Sequence, residues 1–197
     1  MFTVTPCASG CGRSALSGSN VCFVHQADHV KEIARIVGQI SANKTVKDLN
    51  VAGMVFDGVD FSGHNFYGCG FQEAQFSNCL FSQNLMRMCF FDFAKFSDCK
   101  FTKSDLQFLS FAGTQIADCR FDETELVHMN FIGSEISKTT FAESNLYNSR
   151  FIGADIENSN FSNCNVMRVN FAHTQREHVV FRSSNTADAI FDMEEES

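Results

Sequence analysis

Hydrophobic residues recur at every fifth position from Phe56 to Phe191, without one insertion or deletion. Of the 28 positions in this register, 18 are Phe and eight are Ile, Leu, Met or Val, whereas Arg176 and Thr186 break the pattern. A second periodic position lies two residues before each large one and is mostly small, as at Cys79. The residues between them are mostly polar. Self-similarity at a fixed period indicates one structural unit that is copied along the chain.

A period of five fits neither an α-helix, at 3.6 residues, nor a β-strand, at 2. It fits a four-sided coil in which each side is one pentapeptide and both periodic residues point inward. A coil then takes four pentapeptides, and coils that stack about 4.8 Å apart give a rod about 34 Å long. Phenylalanines in the same position of successive coils stack on each other. At about 1.5–3 kcal/mol per buried side chain, they are the main predicted source of stability.

The segments Ala-Asp-Ile-Glu-Asn at 154–158 and Ser-Asn-Leu-Tyr-Asn at 144–148 resemble the consensus of the pentapeptide repeat family. That consensus is a small residue, Asp or Asn, Leu or Phe, and two variable polar positions. The resemblance covers about 70% of the chain and implies an all-β solenoid, a right-handed quadrilateral β-helix of about seven coils. The predicted organisation is a zinc-binding finger at 1–25, a capping helix and connection at 26–50, the β-helix at 51–191 and an acidic tail at 192–197.

The N-terminal segment contains a candidate metal site with the spacing Cys-x3-Cys-x10-Cys-x2-His, formed by Cys7, Cys11, Cys22 and His25. Three thiolates and an imidazole suit a closed, structural Zn²⁺ site, which leaves no open position for hydrolysis. With its Cys-Gly-Arg turn, the segment also looks like the small treble-clef-type zinc fingers. His29 is an alternative ligand, and three unrelated thiols near a terminus are the alternative to a metal site.

Residues 26–41 are predicted to form a helix that begins near Asp28, where a carboxylate favours the helix dipole. Its apolar face is predicted to consist of Val30, Ile33, Ala34, Val37 and Ile40. We expect this face to cap the first coil, because solenoids need caps, and the zinc site to clamp the start of the helix. Residues 42–50 are predicted to be a connection.

Six of the nine cysteines fall on the small inward position: Cys69, Cys79, Cys89, Cys99, Cys119 and Cys164. There a cysteine acts as a small buried hydrophobe, which predicts packed free thiols in a reducing compartment. A metal or redox ladder is the alternative. No signal peptide and no membrane-spanning run is evident, so the expected location is the cytoplasm and no membrane partner is expected.

Two outer walls of the predicted rod carry candidate partner-binding residues. The side centred on Ile116 is acidic and sets seven carboxylates against Lys95 and Lys138: Asp57, Asp98, Asp118, Glu135, Asp155, Glu157 and Glu177. The side centred on Leu126 carries an aromatic stripe: Tyr67, Met88, Phe108, His128, Tyr147 and Met167. Such a stripe is either a contact surface or a scatter of surface apolar residues, which is normal.

The sequence predicts a binding protein and not an enzyme. It contains no recognisable nucleophile–base motif and no phosphate-binding loop, and regularly spaced, solvated acids are poor candidates for acid–base catalysis. Residues 1–50 carry five Lys or Arg against three Asp or Glu, net +2, whereas the rest carry ten against twenty, net −10. Nucleic acid would repel such a rod, so we expect no direct binding of nucleic acid by the rod.

A basic protein surface that normally holds DNA is the better partner. Members of the family that protect DNA gyrase and topoisomerase IV from quinolones are acidic rods proposed to mimic a duplex. The resemblance therefore implies a DNA-mimicking modulator of a type II topoisomerase that forms a homodimer through its C-terminal coils. This chain departs from some of those proteins, because no loops interrupt its coils and an N-terminal finger precedes them. The alternative is a scaffold or adaptor that binds another protein through the aromatic stripe or the finger.

Overall fold

The computed structural model describes residues 5–191, so the predicted acidic tail at 192–197 lies outside the described part of the chain. Residues 45–191 form a four-sided β-solenoid of about seven coils, as predicted. Its regular strands have three residues each: β1 Thr45–Lys47, β2 Val55–Asp57, β3 Asn65–Tyr67, β4 Gln75–Ser77, β5 Leu85–Arg87, β6 Lys95–Ser97, β7 Asp105–Gln107, β8 Gln115–Ala117, β9 Glu125–Val127, β10 Glu135–Ser137, β11 Asp155–Glu157 and β12 Gln175–Glu177.

The strands form two parallel sheets on opposite walls of the rod. The seven-stranded sheet, in the order β12-β11-β10-β8-β6-β4-β2, is the acidic side, and the five-stranded sheet, β1-β3-β5-β7-β9, is the aromatic side. Ladders of single bridges form the other two walls. One runs through Asn50, Gly70 and Phe90 and is called here the glycine-rich side; the other runs through Asp60, Leu80 and Lys100 and is called the ion-paired side.

The inward phenylalanines form continuous ladders, as the repeat predicts. Phe81 and Phe101 stack with ring centroids 4.6 Å apart and planes within 3° of parallel, and Phe101 stacks in the same way on Phe121. Rings on opposite sides meet edge to face across the interior, as Phe101 and Phe111 do at 6.2 Å and 75°. From Leu106 to Val166 and from Ile116 to Ile156 the two sheet walls carry buried aliphatic residues, so the interior stays filled without overpacking.

The six inward cysteines are buried free thiols, which confirms the predicted packing. The Cys164 thiol donates to the carbonyl oxygen of Phe141 at 2.9 Å, and the Cys99 thiol lies 3.5 Å from that of Phe76. Loss of hydration on burial raises the pKa of Cys164 to about 11. The Cys164 thiol therefore remains protonated and acts as a small core residue.

The helix α1 spans His29–Ser41, three residues later than predicted, because Asp28 is its N-cap and accepts from the backbone N–H of Lys31 at 2.9 Å. The predicted apolar face is confirmed at Ile33, Val37 and Ile40, which pack on the core, and is wrong at Val30 and Ala34. Ile36 and Ile40 are buried, whereas Val30 is 79% exposed and Ala34 is also exposed. No helix among residues 5–191 has the length and apolar character needed to cross a membrane.

The inward face of α1 is set by Arg35, which lies beside Ile36 on the helix. Its guanidinium forms two hydrogen bonds with Glu32, at 2.6 and 2.9 Å, and donates to the carbonyl oxygen of Ser17 at 2.6 Å. This contact ties the helix to the finger and turns Ile36 and Ile40 onto the first coil, where they join the continuous core. The expected capping of the rod by this helix is therefore confirmed, with Ile36 added to the face and Val30 and Ala34 outside it.

The finger is joined to the first coil through Asn50. Ser17 donates its backbone N–H to the Asn50 carbonyl, and Asn50 donates its own to the Ser17 hydroxyl at 2.8 Å. The Asn50 side-chain amide reaches Ser14 and the carbonyl of Ala15. Strand β1 already pairs in register with β3, so the first coil begins at Thr45, inside the stretch predicted to be a connection.

Candidate metal centre and binding faces

Cys7, Cys11, Cys22 and His25 converge in one cluster, with every ligand atom within 4.8 Å of the others. Two sulfurs on a tetrahedral zinc ion lie about 3.8 Å apart, and a sulfur and a nitrogen lie about 3.6 Å apart, from the usual bond lengths. The Cys11 and Cys22 sulfurs are 3.7 Å apart. The His25 Nδ1 atom is 3.6 Å from Cys7 Sγ and 3.3 Å from Cys22 Sγ. The cluster has the donor set and dimensions for one tetrahedral metal ion.

Local backbone geometry brings these ligands together. Gly10 and Gly12 have φ values of +69° and +80°, which glycine adopts without strain, and the turn places Cys11 opposite Cys22. The backbone N–H of Cys22 donates to Cys7 Sγ at 3.3 Å, and this bond is the main cause that lowers the pKa of Cys7 to about 6. His29, the alternative ligand, stacks on Phe23 with ring centroids 4.5 Å apart and lies outside the cluster.

The acidic side presents its seven predicted carboxylates in three columns that run along the rod. Glu135 pairs in register with Asp155, and Glu157 with Glu177, so like charges lie directly opposite each other on adjacent strands. Such pairs destabilise a sheet. A groove of about 290 Å³ lies along the same wall and is lined in part by Gln115, Glu135, Asp155 and Glu157.

Among residues 5–191, the ion pairs of the rod with Lys or Arg lie on the sides other than the acidic side. There Asp105 pairs with Arg87 at 2.5 Å, Asp122 with Arg120 at 2.8 Å and Glu123 with Lys103 at 3.6 Å, whereas other acids on those sides also lack a Lys or Arg partner, among them Glu73, Glu125 and Glu143. Among residues 5–191, none of the seven carboxylates forms an ion pair with Lys or Arg, and Glu177 meets only the ring of His178 at 3.6 Å. The carboxylates of this wall therefore keep their charge available to another molecule.

The aromatic side brings part of the predicted stripe together and leaves part of it apart. The Phe108 and His128 rings stack at 4.8 Å, and Tyr147 meets His128 edge to face at 6.1 Å. Met88 and Phe108 are 59% and 53% exposed. Both have φ values above +50°, which are uncommon for large side chains. Tyr67 lies near the N-terminal end of this side, beneath the Lys47 ammonium, and Met167 lies one coil beyond Tyr147.

Two features escaped the prediction from sequence. At the corner between the glycine-rich and acidic sides, Ile132 and Ile152 point outward and each is followed by a glycine. The sequence pattern that could have predicted this feature is the repeated Phe-Ile-Gly at 131–133 and 151–153. At the C-terminal end, the inward Arg176 donates to the carbonyl oxygens of Phe171 and Phe191, each at 3.1 Å. There the signal was a charged residue in the hydrophobic register.

The family model described as Pentapeptide repeats matches the chain in eight copies, within residues 48–83, 134–172 and 149–185. No curated protein matches the sequence. Among solved structures, similar folds include HetL, a pentapeptide repeat protein involved in heterocyst differentiation regulation from the cyanobacterium Nostoc sp. strain PCC 7120. It is 10% identical over 81% of this chain and 95% of that chain, with a TM-score of 0.35.

A trypsin-treated variant of QnrB1, a plasmid-mediated fluoroquinolone resistance protein, is 15% identical over 72% of this chain and 91% of that chain, with a TM-score of 0.36. The pentapeptide repeat protein Rfr23 from the cyanobacterium Cyanothece 51142 is 9% identical over 81% of this chain and 99% of that chain, with a TM-score of 0.31. Because these TM-scores are below 0.5, no functional argument rests on the three structures.

Proposed function

This chain belongs to the pentapeptide repeat family, and we propose that it is a non-enzymatic rod whose acidic side binds a basic, DNA-holding surface of another protein. A type II topoisomerase, DNA gyrase or topoisomerase IV, is the candidate partner. The observation that carries the proposal is the concentration of seven carboxylates on one wall, with Glu135 in register with Asp155 and Glu157 in register with Glu177. A chain that keeps like charges in register sacrifices stability, and such local conflicts are expected at functional sites.

The spacing of these charges supports competition with DNA. Successive coils lie about 4.8 Å apart, and the phosphates of one DNA strand advance by about 3.4 Å. A line of carboxylates at this spacing can occupy a positively charged saddle and exclude the duplex. A basic protein surface that binds nucleic acid attracts such an acidic rod over long range, and salt weakens the attraction.

The test is a supercoiling assay with gyrase from the organism that encodes the chain, with topoisomerase IV decatenation in parallel. The triple variant Asp118→Lys, Glu135→Lys and Asp155→Lys is expected to lose the effect on the enzyme. A matched control, Glu73→Lys, Glu123→Lys and Glu143→Lys, makes the same change of charge at exposed positions on the other sides and is expected to retain it. If the wild-type protein changes neither supercoiling nor drug-induced cleavage in large molar excess, the topoisomerase proposal fails.

The adaptor function remains the second proposal, because exposed Phe108 and half-buried His128 and Tyr147 form one contiguous cluster on the surface. Large apolar side chains held outward in an uncommon backbone conformation favour a contact surface. The variant Phe108→Ala with Tyr147→Ala separates the two proposals. If the acidic side is the functional surface, the variant keeps its effect on the topoisomerase. If the protein is an adaptor, the variant loses binding to its partner protein.

We assign the Cys7–His25 cluster to a structural Zn²⁺ ion, supported by the soft donor set and the ligand distances. The ion would hold the finger closed and so fix Ser14, Ala15 and Ser17 against Asn50.

A homodimer through residues 171–191 is proposed because Phe181 and Phe191 remain only partly buried at the last coil. The cytoplasm is the proposed compartment, supported by the six buried free thiols.

A further inference from the structure

We propose that the corner between the glycine-rich and acidic sides is a docking groove for an amphipathic helix of the partner, with its apolar stripe on Ile132 and Ile152 and its basic stripe on Glu135 and Asp155. This inference rests on the proposed function and specifies which chemistry the acidic side recognises. The apolar part of the groove, called here the corner ledge, consists of Ala112, Ile132, Ile152 and Ala172.

The corner ledge is formed by equivalent residues of four successive coils, of which Ala172 is only 4% exposed and adds almost no accessible surface. Ile132 and Ile152 are half-buried, because each is flanked by its neighbours in the coils above and below. At one end the ledge is closed by Phe93, which is 66% exposed and lies over Gly113, where an added Cβ would come within 2.6 Å of its ring. The ledge is therefore a bounded apolar strip and not a scatter of surface residues.

Two glycines open the groove beside the isoleucines. Gly133 and Gly153 have φ values of +64° and +65°, and a Cβ at either position would meet nothing within 4 Å. Most turns at the equivalent positions of the other sides carry side chains, among them Asn148, Asn158 and Asn163, with similar φ values. Glycine is therefore not required there by the backbone alone, and its effect is to leave room next to Ile132 and Ile152.

The acidic border of the groove supplies charge complementarity. Glu135 follows Ile132 by three residues and lies in register with Asp155 on the adjacent strand, and neither has a Lys or Arg partner. On the opposite border Arg150 is exposed, and the one carboxylate that reaches it, Asp92 near the Phe93 end, accepts a hydrogen bond from Ser110. Beside Ile132 and Ile152, a partner helix would thus meet the negative charges of Glu135 and Asp155 on one edge, and the stripe that faces this edge must be basic.

The repeat distance of the groove matches a helix that lies along the rod. A helix presents one residue per turn on a given face, about every 5.4 Å, and the ledge presents one side chain per coil, about every 4.8 Å. Over the three intervals from Ala112 to Ala172 the two repeats drift apart by only about 2 Å. Apolar residues at i, i+4 and i+7 of the helix can therefore meet successive coils.

The test uses a fluorescein-labelled peptide of about 18 residues, long enough to span the ledge, with Leu on one stripe and Arg on the adjoining stripe. Binding to the full-length protein is measured by fluorescence anisotropy. We expect the peptide to bind at least about tenfold more tightly than one of the same charge in which every Leu is Ser. Equal binding of the two peptides would mean charge attraction alone and would overturn the proposal.

The decisive variant fills the groove without adding charge. Gly133→Asn with Gly153→Asn places side chains that the same turn already carries elsewhere, so the rod is expected to fold and the peptide to bind at least about tenfold more weakly. The matched control, Gly53→Asn with Gly58→Asn, makes the same change at turns that are equally open and is expected to keep full affinity. If both variants bind alike, the groove is not the site.

The acidic border is tested by Glu135→Gln with Asp155→Asn. We expect weaker binding of the Arg peptide, a smaller salt dependence and a higher Tm, because a like-charge pair in register is removed. Unchanged affinity would overturn the assignment of the basic stripe. The peptide assay does not involve a topoisomerase, so its result is independent of the supercoiling assay that tests the proposed function.

Discussion

The two ends of the rod close the same stack of phenylalanines in different ways. At the N-terminal end, Leu16, Phe23, Ile36 and Ile40 are buried and extend the core into the finger and helix. At the C-terminal end, Phe181 and Phe191 are only partly buried, and the guanidinium of Arg176 lies 5.3 Å from the centre of the Phe191 ring. One end is thus covered by a folded module, whereas at the other end, within residues 5–191, the charged side chain of Arg176 lies in the hydrophobic register.

This difference shows what the first and last coils of the solenoid require from the residues next to them. A coil end exposes both apolar rings and unpaired main-chain groups. The N-terminal module satisfies both needs, since Asn50 and Ser17 exchange hydrogen bonds while the helix covers the rings. Arg176 satisfies carbonyl groups of the last coil but leaves much apolar surface exposed, which is the reason to expect a second copy there.

The largest expected effect follows from loss of the metal. Zinc-finger peptides gain about 10–16 kcal/mol from their ion, so Cys22→Ser is expected to unfold the finger and to speed amide exchange in α1 and around Asn50. The far-ultraviolet β signal of the rod should persist. Metal analysis of the wild-type protein is expected to give one zinc per chain; less than about a tenth of an equivalent would contradict the assignment. Cys164→Ser, at an inward position that Ser144 also occupies, is the control and should keep both zinc and stability.

The second largest expected effect is the loss of unfolding free energy when a core side chain is shortened at either end of the rod. Ile40 is 1% exposed, and Ile40→Ala is expected to cost about 2–5 kcal/mol of unfolding free energy. Phe191→Ala removes more atoms but from a half-open site, so the expected cost is smaller, about 1–2 kcal/mol. Denaturant unfolding with hydrogen exchange at each end measures both. A larger cost at Phe191 would mean that the C-terminal end is covered as well as the N-terminal end.

The smallest change in stability, with the clearest change in assembly, is expected for Arg176→Ile. The substitution continues the ladder of Ile116, Ile136 and Ile156 and removes the cation from the open end. Wild type is expected to be a dimer by light scattering, and the variant is expected to associate several-fold more tightly because more apolar surface is covered. Arg182→Ile, outward on the same coil, is the control. A wild-type monomer at tens of micromolar would contradict the dimer.

The regular part of the molecule could be predicted closely from the sequence. At Phe101 and Cys99, position in the five-residue register alone decides that the side chain points inward, because every coil repeats the one before it. The same register placed Cys79, Cys99 and Cys119 in one ladder. The metal cluster was predicted from spacing, since Cys-x2-His and the glycine turns are local features.

The irregular parts could not be predicted in the same way. Val30 and Ile36 are equally apolar, and which of them faces the core depends on tertiary contacts, among them those of Arg35 with Ser17 and Glu32. The acidic residues were placed on the correct wall, but their lack of cationic partners depends on which side chains meet across coils. The groove lies at the corner where the glycine-rich side meets the acidic side, so the pattern of residues along either side alone does not predict it.

The sequence by itself therefore determined the four-sided rod, its phenylalanine and cysteine ladders and the metal-ligand set, because these depend on spacing along one chain. The tertiary structure decided how the finger and helix dock on Asn50, which carboxylates remain without Lys or Arg, and where Ile132 and Ile152 lie beside Glu135 and Asp155. Those properties depend on contacts between coils and between unlike segments, and no periodic pattern constrains a contact between a repeated and a unique part of the chain.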